Sequence, residues 1–183
     1  MYVMDEILAL YADRGDAAYF GECVSIAEHG LQAAHFARAA GAPPALIVAA
    51  LLHDVGHIVG NAPDDLAEWT EDAAHERVGG RWLAERFPAE VSEPVRLHVP
   101  AKRYLLATDP EYLAKLSPAS LVTLKLQGGP MSLGDAARFE DERFHREAVL
   151  VRRCDDEGKV AGLATVGLLD YRDMIEELSR RRR

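Results

Sequence analysis

At 183 residues the chain has the length of one domain, and 49% apolar with 28% charged residues is the balance of a globular protein with its own core. A net charge of −9 argues against a nucleic-acid partner, two cysteines are too few for a disulfide framework, and the longest apolar run, residues 45–52, is too short to span a bilayer. The acidic N-terminus has no basic leader pattern, so the expectation is a cytoplasmic protein without a membrane partner. A small anionic substrate stays compatible with the charge, because a cleft needs only a few local cations.

Helical punctuation recurs along the chain, and no segment shows the alternation of a strand. The pattern predicts an amphipathic helix over 4–12 (Ile7, Leu8, Leu10, Tyr11) and a second over 28–40, closed by Gly41. Pro43-Pro44 opens a third over 45–56 that is apolar nearly all round and therefore central. Further helices are predicted from Asp72 to Arg86 and over 90–99. Asp109-Pro110 and Ser117-Pro118 are cap-plus-proline starts, the second helix ending at Gly128-Gly129. Ser132 with Asp135 reads as a capping box for a helix through Arg143, and the last helices are placed over 145–153 and 170–179. The terminal Arg180–Arg183 run reads as a solvated tail. The fold class expected is all-α, with residues 1–183 as a single domain.

His53-Asp54-Val55-Gly56-His57, at the end of the apolar third helix, is the most informative segment. Two imidazoles and a carboxylate do not belong on a buried helix unless something satisfies them, and together they form the ligand set of a divalent metal. His29, His75, His98 and Asp155 lie near the ends of other predicted helices, from which ligands can converge at one end of a bundle. Imidazole and carboxylate also suit manganese, cobalt or zinc, so the residues alone leave the metal open.

The series His29…His53-Asp54…His75…His98…Asp155 resembles the HD-domain superfamily in its two-metal form. That resemblance implies a single HD-domain bundle in which Asp54 bridges two ions, His29, His53 and Asp155 complete one site, and His75 and His98 complete the other. More specific are Tyr19-Phe20-Gly21-Glu22, Glu28-His29-Gly30-Leu31-Gln32, Ala101-Lys102-Arg103-Tyr104-Leu105, Leu116-Ser117-Pro118-Ala119-Ser120, Gln127-Gly128-Gly129-Pro130-Met131 and Arg152 before Asp155. Together these runs resemble the small mixed-valent di-iron oxygenases that cleave the carbon–phosphorus bond of 1-hydroxyphosphonates (PhnZ type).

By that resemblance the cofactors are two irons, one Fe(II) and one Fe(III), with O2 as cosubstrate. The partner is a small-molecule phosphonate, a 1-hydroxy-2-(amino or trimethylammonio)ethylphosphonate, yielding phosphate and glycine or glycine betaine. Lys102, Ser120 and Arg152 hold the phosphonate, and His57 donates from beside the metals. Tyr19 is a loop ligand that covers one iron until substrate arrives, and Glu22 senses the cationic end of the substrate. Arg103, Arg153 and Trp82 read as structural, Trp69 as packing or part of a lid, and Cys154 as a buried, inert thiol. The alternatives are an HD phosphohydrolase acting on a nucleotide or phosphate ester with the same metals as Lewis acids, or a non-catalytic phosphonate-sensing module. Oligomeric state, the substrate amine and the part played by residues 59–73 stay open.

Overall fold

A computed structural model of the chain describes residues 2–19, 21–60 and 74–182. The described residues form ten α-helices: α1 (Val3–Arg14), α2 (Ile26–Ala39), α3 (Pro44–Leu51), α4 (Val55–Val59), α5 (His75–Ala84), α6 (Ala89–Thr108), α7 (Pro118–Leu126), α8 (Leu133–Glu140), α9 (His145–Glu157) and α10 (Arg172–Arg181). Their only β pairing is an isolated bridge between Ala18 and Ser25, so the fold is all-helical as expected. None of these helices is long and apolar enough to cross a membrane. Trp69, Phe20, the predicted helix start at Asp72 and nearly all of the 59–73 loop lie outside the described residues.

α3 is the hub. Leu46 through Leu51 are all buried, and Ile47 through Leu51 meet Ala33 and Ala37 of α2, Val91 and Val95 of α6, Val151 of α9 and Ile175 of α10 in one core. Each fully buried aliphatic side chain there contributes on the order of 1.5–3 kcal/mol. α1 closes one side through Met4 and Ile7, and its Met4 N–H donates to Glu176 of α10 at 3.1 Å. Cys154 sits in this core with its thiol pushed up to about 12 by burial, which makes it unreactive.

Several boundaries differ from the sequence reading, among them the end of α8 at Glu140 instead of Arg143, and four have a clear local reason. α2 begins at Ile26, two residues earlier than predicted, because Ser25 and Glu28 form a reciprocal capping box. α3 stops at Leu51: the backbone turns through Leu52 and Asp54, with Val55 N–H on Leu52 O (3.1 Å) and His57 N–H on Asp54 O (3.0 Å), and resumes as α4. His53 and Asp54 therefore occupy a sharp corner between two helices. α6 runs through Pro94 and Pro100 to Thr108, so His98 is inside a long helix instead of at the end of a short one. Packing against α5 and α9 outweighs the hydrogen bonds those prolines remove. Asp109-Pro110 opens only a 3₁₀ turn, Tyr112–Lys115. In addition, Arg180 and Arg181 belong to α10, and Arg182 donates to Ala84 O at 2.5 Å, so the basic tail is partly docked.

The corner demands glycine. A Cβ on Gly56 would lie 1.9 Å from His75 O and 2.8 Å from Gly79 N, both backbone atoms, because α4 is pressed against the start of α5. Gly56→Ala is therefore expected to lower stability by about 1–3 kcal/mol and to push His57 and His75 apart. Gly134→Ala in α8 meets nothing nearer than 3.9 Å and is expected to be neutral or slightly stabilising. Thermal melts of the two variants check the contrast, and equal behaviour would contradict the close approach.

Candidate metal centre and substrate cleft

Of the seven histidines, His29, His53, His57, His75 and His98 are buried, and all five surround the carboxylate of Asp54. His29, His53 and Asp54 form one group whose ligand atoms lie within 4.8 Å of one another, and Asp54, His75 and His98 form another. Asp54 divides itself between them. Its Oδ2 is 3.6 Å from His29 Nε2 and 3.4 Å from His53 Nε2, while its Oδ1 is 3.3 Å from His75 Nε2 and 3.6 Å from His98 Nε2.

Backbone carbonyls aim three of these rings. His29 Nδ1 is 2.8 Å from Gly158 O, His53 Nδ1 is 2.8 Å from Ala50 O, and His98 Nδ1 is 2.7 Å from Val95 O. A carbonyl only accepts, so each Nδ1 carries the hydrogen and each Nε2 of the neutral ring presents a lone pair. His29 and His53 then point two lone pairs at each other across 3.0 Å, which repel unless a cation stands with them. His75 and His98 Nε2 are 3.1 Å apart, and His75 Nδ1 faces the buried Glu76 carboxylate at 3.9 Å.

The electrostatics agree. Burial opposes charge on His53, yet Asp54 and Asp155 beside it prevail and push it up to about 9. His98 is pushed down to about 3 by burial and by neighbouring His75. Asp155 reaches the first group, 3.4 Å from His29 Nε2, and its buried Oδ1 accepts no hydrogen bond. Burial disfavours its charge, but Arg152 and Lys159 hold its carboxyl well below the ordinary range. A donor set of imidazole lone pairs, a two-faced carboxylate and an orphaned carboxylate oxygen fits a pair of divalent or trivalent cations.

The cleft opens on this centre. Tyr19 is buried, donates to Asp54 Oδ2 at 2.6 Å and stacks on His29 with ring centroids 4.0 Å apart. Burial and the Asp54 charge hold its phenol well above its usual range. His57 stacks on His75 at 3.9 Å and stands 3.8 Å from Asp54 Oδ1, beside the second group without belonging to it. Lys102, Ser120 and Arg152 line the same cleft. Lys102 donates to Thr123 Oγ1 at 3.1 Å, and burial together with Arg152 pushes its ammonium down to about 7. Arg152 binds Asp155 Oδ2 at 2.7 Å, Tyr112 OH at 3.0 Å and Asp156, leaving a hydrogen on each terminal nitrogen for the cleft. Glu22 lines the same cleft and accepts from Ser117 Oγ. All twelve candidate site residues are thus brought together.

Lys159 and Gln127 also face the cleft and were not singled out as site residues in the sequence. Lys159 follows Gly158 just past α9, where a lysine ordinarily reads as solvated; its four-residue spacing from Asp155 was the available signal. Gln127 is buried with its Oε1 unpartnered, and in the sequence it precedes a Gly-Gly-Pro turn that reads as structural. Those residues are structural: Arg103 Nε donates to Gly129 O at 2.8 Å, and Gly128 and Gly129 have φ of 89° and 69°. Arg153 pairs with Asp109 at 3.3 Å, and Trp82 packs on the core under the Arg86 guanidinium.

Residues 26–156 match the HD domain family. Over 176 residues the chain is 41% identical to the 1-hydroxy-2-(trimethylamino)ethylphosphonate dioxygenase (glycine-betaine-forming) of Leisingera caerulea, covering 96% of this chain and 90% of that protein. Over 171 residues it is 43% identical to the hydroxymethylphosphonate dioxygenase of Gimesia maris, with 93% and 85% covered. An uncharacterized protein of Acanthamoeba polyphaga mimivirus is 34% identical over 179 residues, with 96% and 82% covered. The chain belongs to the HD-domain family, and its relatives there include proteins named as dioxygenases of hydroxyphosphonates.

Proposed function

We propose that this protein is a di-iron oxygenase that uses O2 to cleave the carbon–phosphorus bond of a 1-hydroxyphosphonate. The observation that carries the reading is the pairing of a two-sided metal centre, divided by Asp54, with a cationic wall of Lys102 and Arg152 across one cleft. The relatives' names supply the reaction class. Carbon 1 becomes a carboxylate and phosphorus leaves as phosphate, with both atoms of O2 accounted for in the two products. The helices flanking the HD match, α1 and α10, share the main core with α2 and α3, so residues 1–183 are read as one domain.

His29, His53 and Asp155 would hold one iron, His75 and His98 the other, with Asp54 between them. When bound, the mixed-valent pair supplies the redox chemistry and a Lewis-acidic anchor for the substrate's hydroxyl and phosphonate oxygens. The chain's own work is binding, orientation and proton control. Lys102, Arg152 and Ser120 direct charge-assisted and hydroxyl hydrogen bonds at the phosphonate, fixing C1 over the centre. His57 donates beside the second group. Tyr19 covers the first group on a loop that also carries Glu22, so arrival of substrate at Glu22 is coupled to uncovering.

Anaerobic, iron-loaded protein given hydroxymethylphosphonate or 1-hydroxy-2-(trimethylammonio)ethylphosphonate is expected to release phosphate only on admitting O2. Metal analysis is expected to find two irons per chain, and none retained in Asp54→Ala. Phosphate release at the same rate without O2 would move the assignment to a phosphohydrolase.

Tyr19→Phe is expected to bind both irons but to consume O2 with weaker coupling to phosphate release. The oxidised wild type is expected to show a tyrosinate-to-iron(III) absorption band that substrate removes and the variant lacks. A wild type without the band, and a variant matching it in coupling, would remove Tyr19 from the centre.

Lys102 has a folded-state pKa of about 7 against an ordinary value of 10.5. Between those values the unfolded chain binds the proton more than the folded one, so this group's contribution makes stability rise with pH across the window; below about 7 the burial cost is fully present. Lys102→Met is therefore expected to melt higher than wild type near pH 7, by about 3–6 °C, with a flatter profile to about pH 9. It should also lose the stabilisation that a phosphonate confers on wild type. Thermal melts with and without hydroxymethylphosphonate check both signs.

A further inference from the structure

Lys159 is mounted too firmly to be a solvated surface lysine. The residue before it, Gly158, gives its carbonyl to His29 Nδ1, and a Cβ there would be 3.2 Å from Ala33 N and His29 O of α2. The residue after it, Val160, is held on both sides by the Gln32 amide, at 2.9 Å to its N–H and 2.8 Å to its carbonyl. Its own carbonyl accepts from Cys23 Sγ at 3.3 Å. The side chain, 10% exposed, runs from this clamp into the cleft. There Nζ donates to Ser120 Oγ at 3.0 Å and stands 3.7 Å from both Glu22 Oε1 and Asp155 Oδ1.

Resting on the hydroxyphosphonate reading, we propose that Lys159 is a specificity-determining residue: it supplies a further cation to the phosphonate at Ser120 and competes with any cationic substituent of the substrate for Glu22. The charges leave no other course. Asp155 also pairs with Arg152 and faces the first metal group, so Glu22 is the carboxylate left to Lys159. A substrate ammonium approaching Glu22 meets a positive charge already 3.7 Å from that carboxylate. It enters by displacing Lys159 toward the phosphonate, where Ser120 already marks the path. A substrate without a cation leaves the Lys159–Glu22 pair in place and gains the ammonium's field at the phosphonate. Lys159 thereby links the anion end of the cleft to the loop that bears Tyr19 and Glu22.

Calorimetric titration of the anaerobic iron-loaded protein measures this without turnover. The ligands are hydroxymethylphosphonate, 1-hydroxy-2-(trimethylammonio)ethylphosphonate and inorganic phosphate. Lys159→Met is expected to weaken hydroxymethylphosphonate and phosphate by about tenfold or more, and the trimethylammonio ligand by less, because Glu22 is released to its cation. The ratio of the two phosphonate Kd values should move by about fivefold or more toward the cationic ligand, and Lys159→Arg should restore most of the affinity. Glu22→Gln supplies an independent arm if Lys159→Met folds poorly: it should weaken the cationic ligand and leave hydroxymethylphosphonate as tight as in wild type, or tighter. An unchanged ratio in Lys159→Met, or equal losses for both phosphonates in Glu22→Gln, would overturn the proposal while leaving the oxygenase reading intact. A wild type that binds neither phosphonate would overturn that reading and this proposal with it.

Discussion

The repulsion between imidazole lone pairs around one buried carboxylate is the constraint on which the rest of the structure depends. Gly158 O and Ala50 O pin the hydrogens of His29 and His53 to the outer face of each ring, so both inner nitrogens point at the same space. No arrangement of neutral side chains satisfies that convergence. A proton can, and the Asp54 and Asp155 carboxylates favour one on His53, pushing it up to about 9; a metal cation can do so better. Asp54 lends one oxygen to each histidine group and so makes two cation positions out of one cluster. The fold bears the cost of holding these polar groups at the edge of an apolar core, a cost that a bound cation would offset.

The scaffold follows from that requirement. α3 is buried on every side and cannot carry polar ligands along its length, so the chain breaks at Leu52 and presents His53 and Asp54 at the corner. The corner works only because α4 can lie against α5, backbone to backbone, where Gly56 faces His75 O. That contact sets His75 opposite His98 of α6, whose long axis spans both prolines to carry His98 and Lys102 one turn apart on the same face. α9 then brings Asp155 to the first histidine group and Arg152, three residues earlier, beside it on the cleft. Rigid helices hold every metal-group residue outside the corner, as a centre requiring sub-ångström placement demands.

The ligand set was legible because histidine and aspartate beside apolar runs have few bland explanations. His29, His53, Asp54, His75, His98 and Asp155 converge in one buried cluster, and Tyr19, Glu22, Lys102, Ser120 and Arg152, which the family resemblance named, line the cleft beside it. What was not legible is instructive. The break at Leu52 has no punctuation, since Leu51-Leu52-His53 continues a helical pattern without glycine or proline. In α6 the opposite holds: Pro100 signals an end that packing against α5 and α9 overrides. Lys159 and Gln127 were hidden because their side chains are common on surfaces, and only long-range packing makes them cleft residues. Ser25 and Glu28 form a capping box of standard spacing that the adjacent His29 obscured.

The site also divides by how its parts are mounted. His29, His75, His98, Asp155, Lys102 and Arg152 sit on helices and His53 and Asp54 on the tight corner between two of them, whereas Tyr19, Glu22 and Lys159 sit on connections. Two relatives of nearly equal identity bear names with different substituents on the hydroxyphosphonate carbon, and both names share the phosphonate and the dioxygenase chemistry. A fixed reaction with a variable substituent is served by the division proposed above, in which the centre and the phosphonate donors would be held on rigid elements and the residues toward the variable group on loops that can change without moving a ligand. Lys159 is the exception that joins the two, because its carbonyl neighbour Gly158 orients His29 while its ammonium meets Glu22. Changes there would be felt at the first metal group as well as at the substituent, so the reach of the side chain, more than the path of the backbone, is where variation can be tolerated.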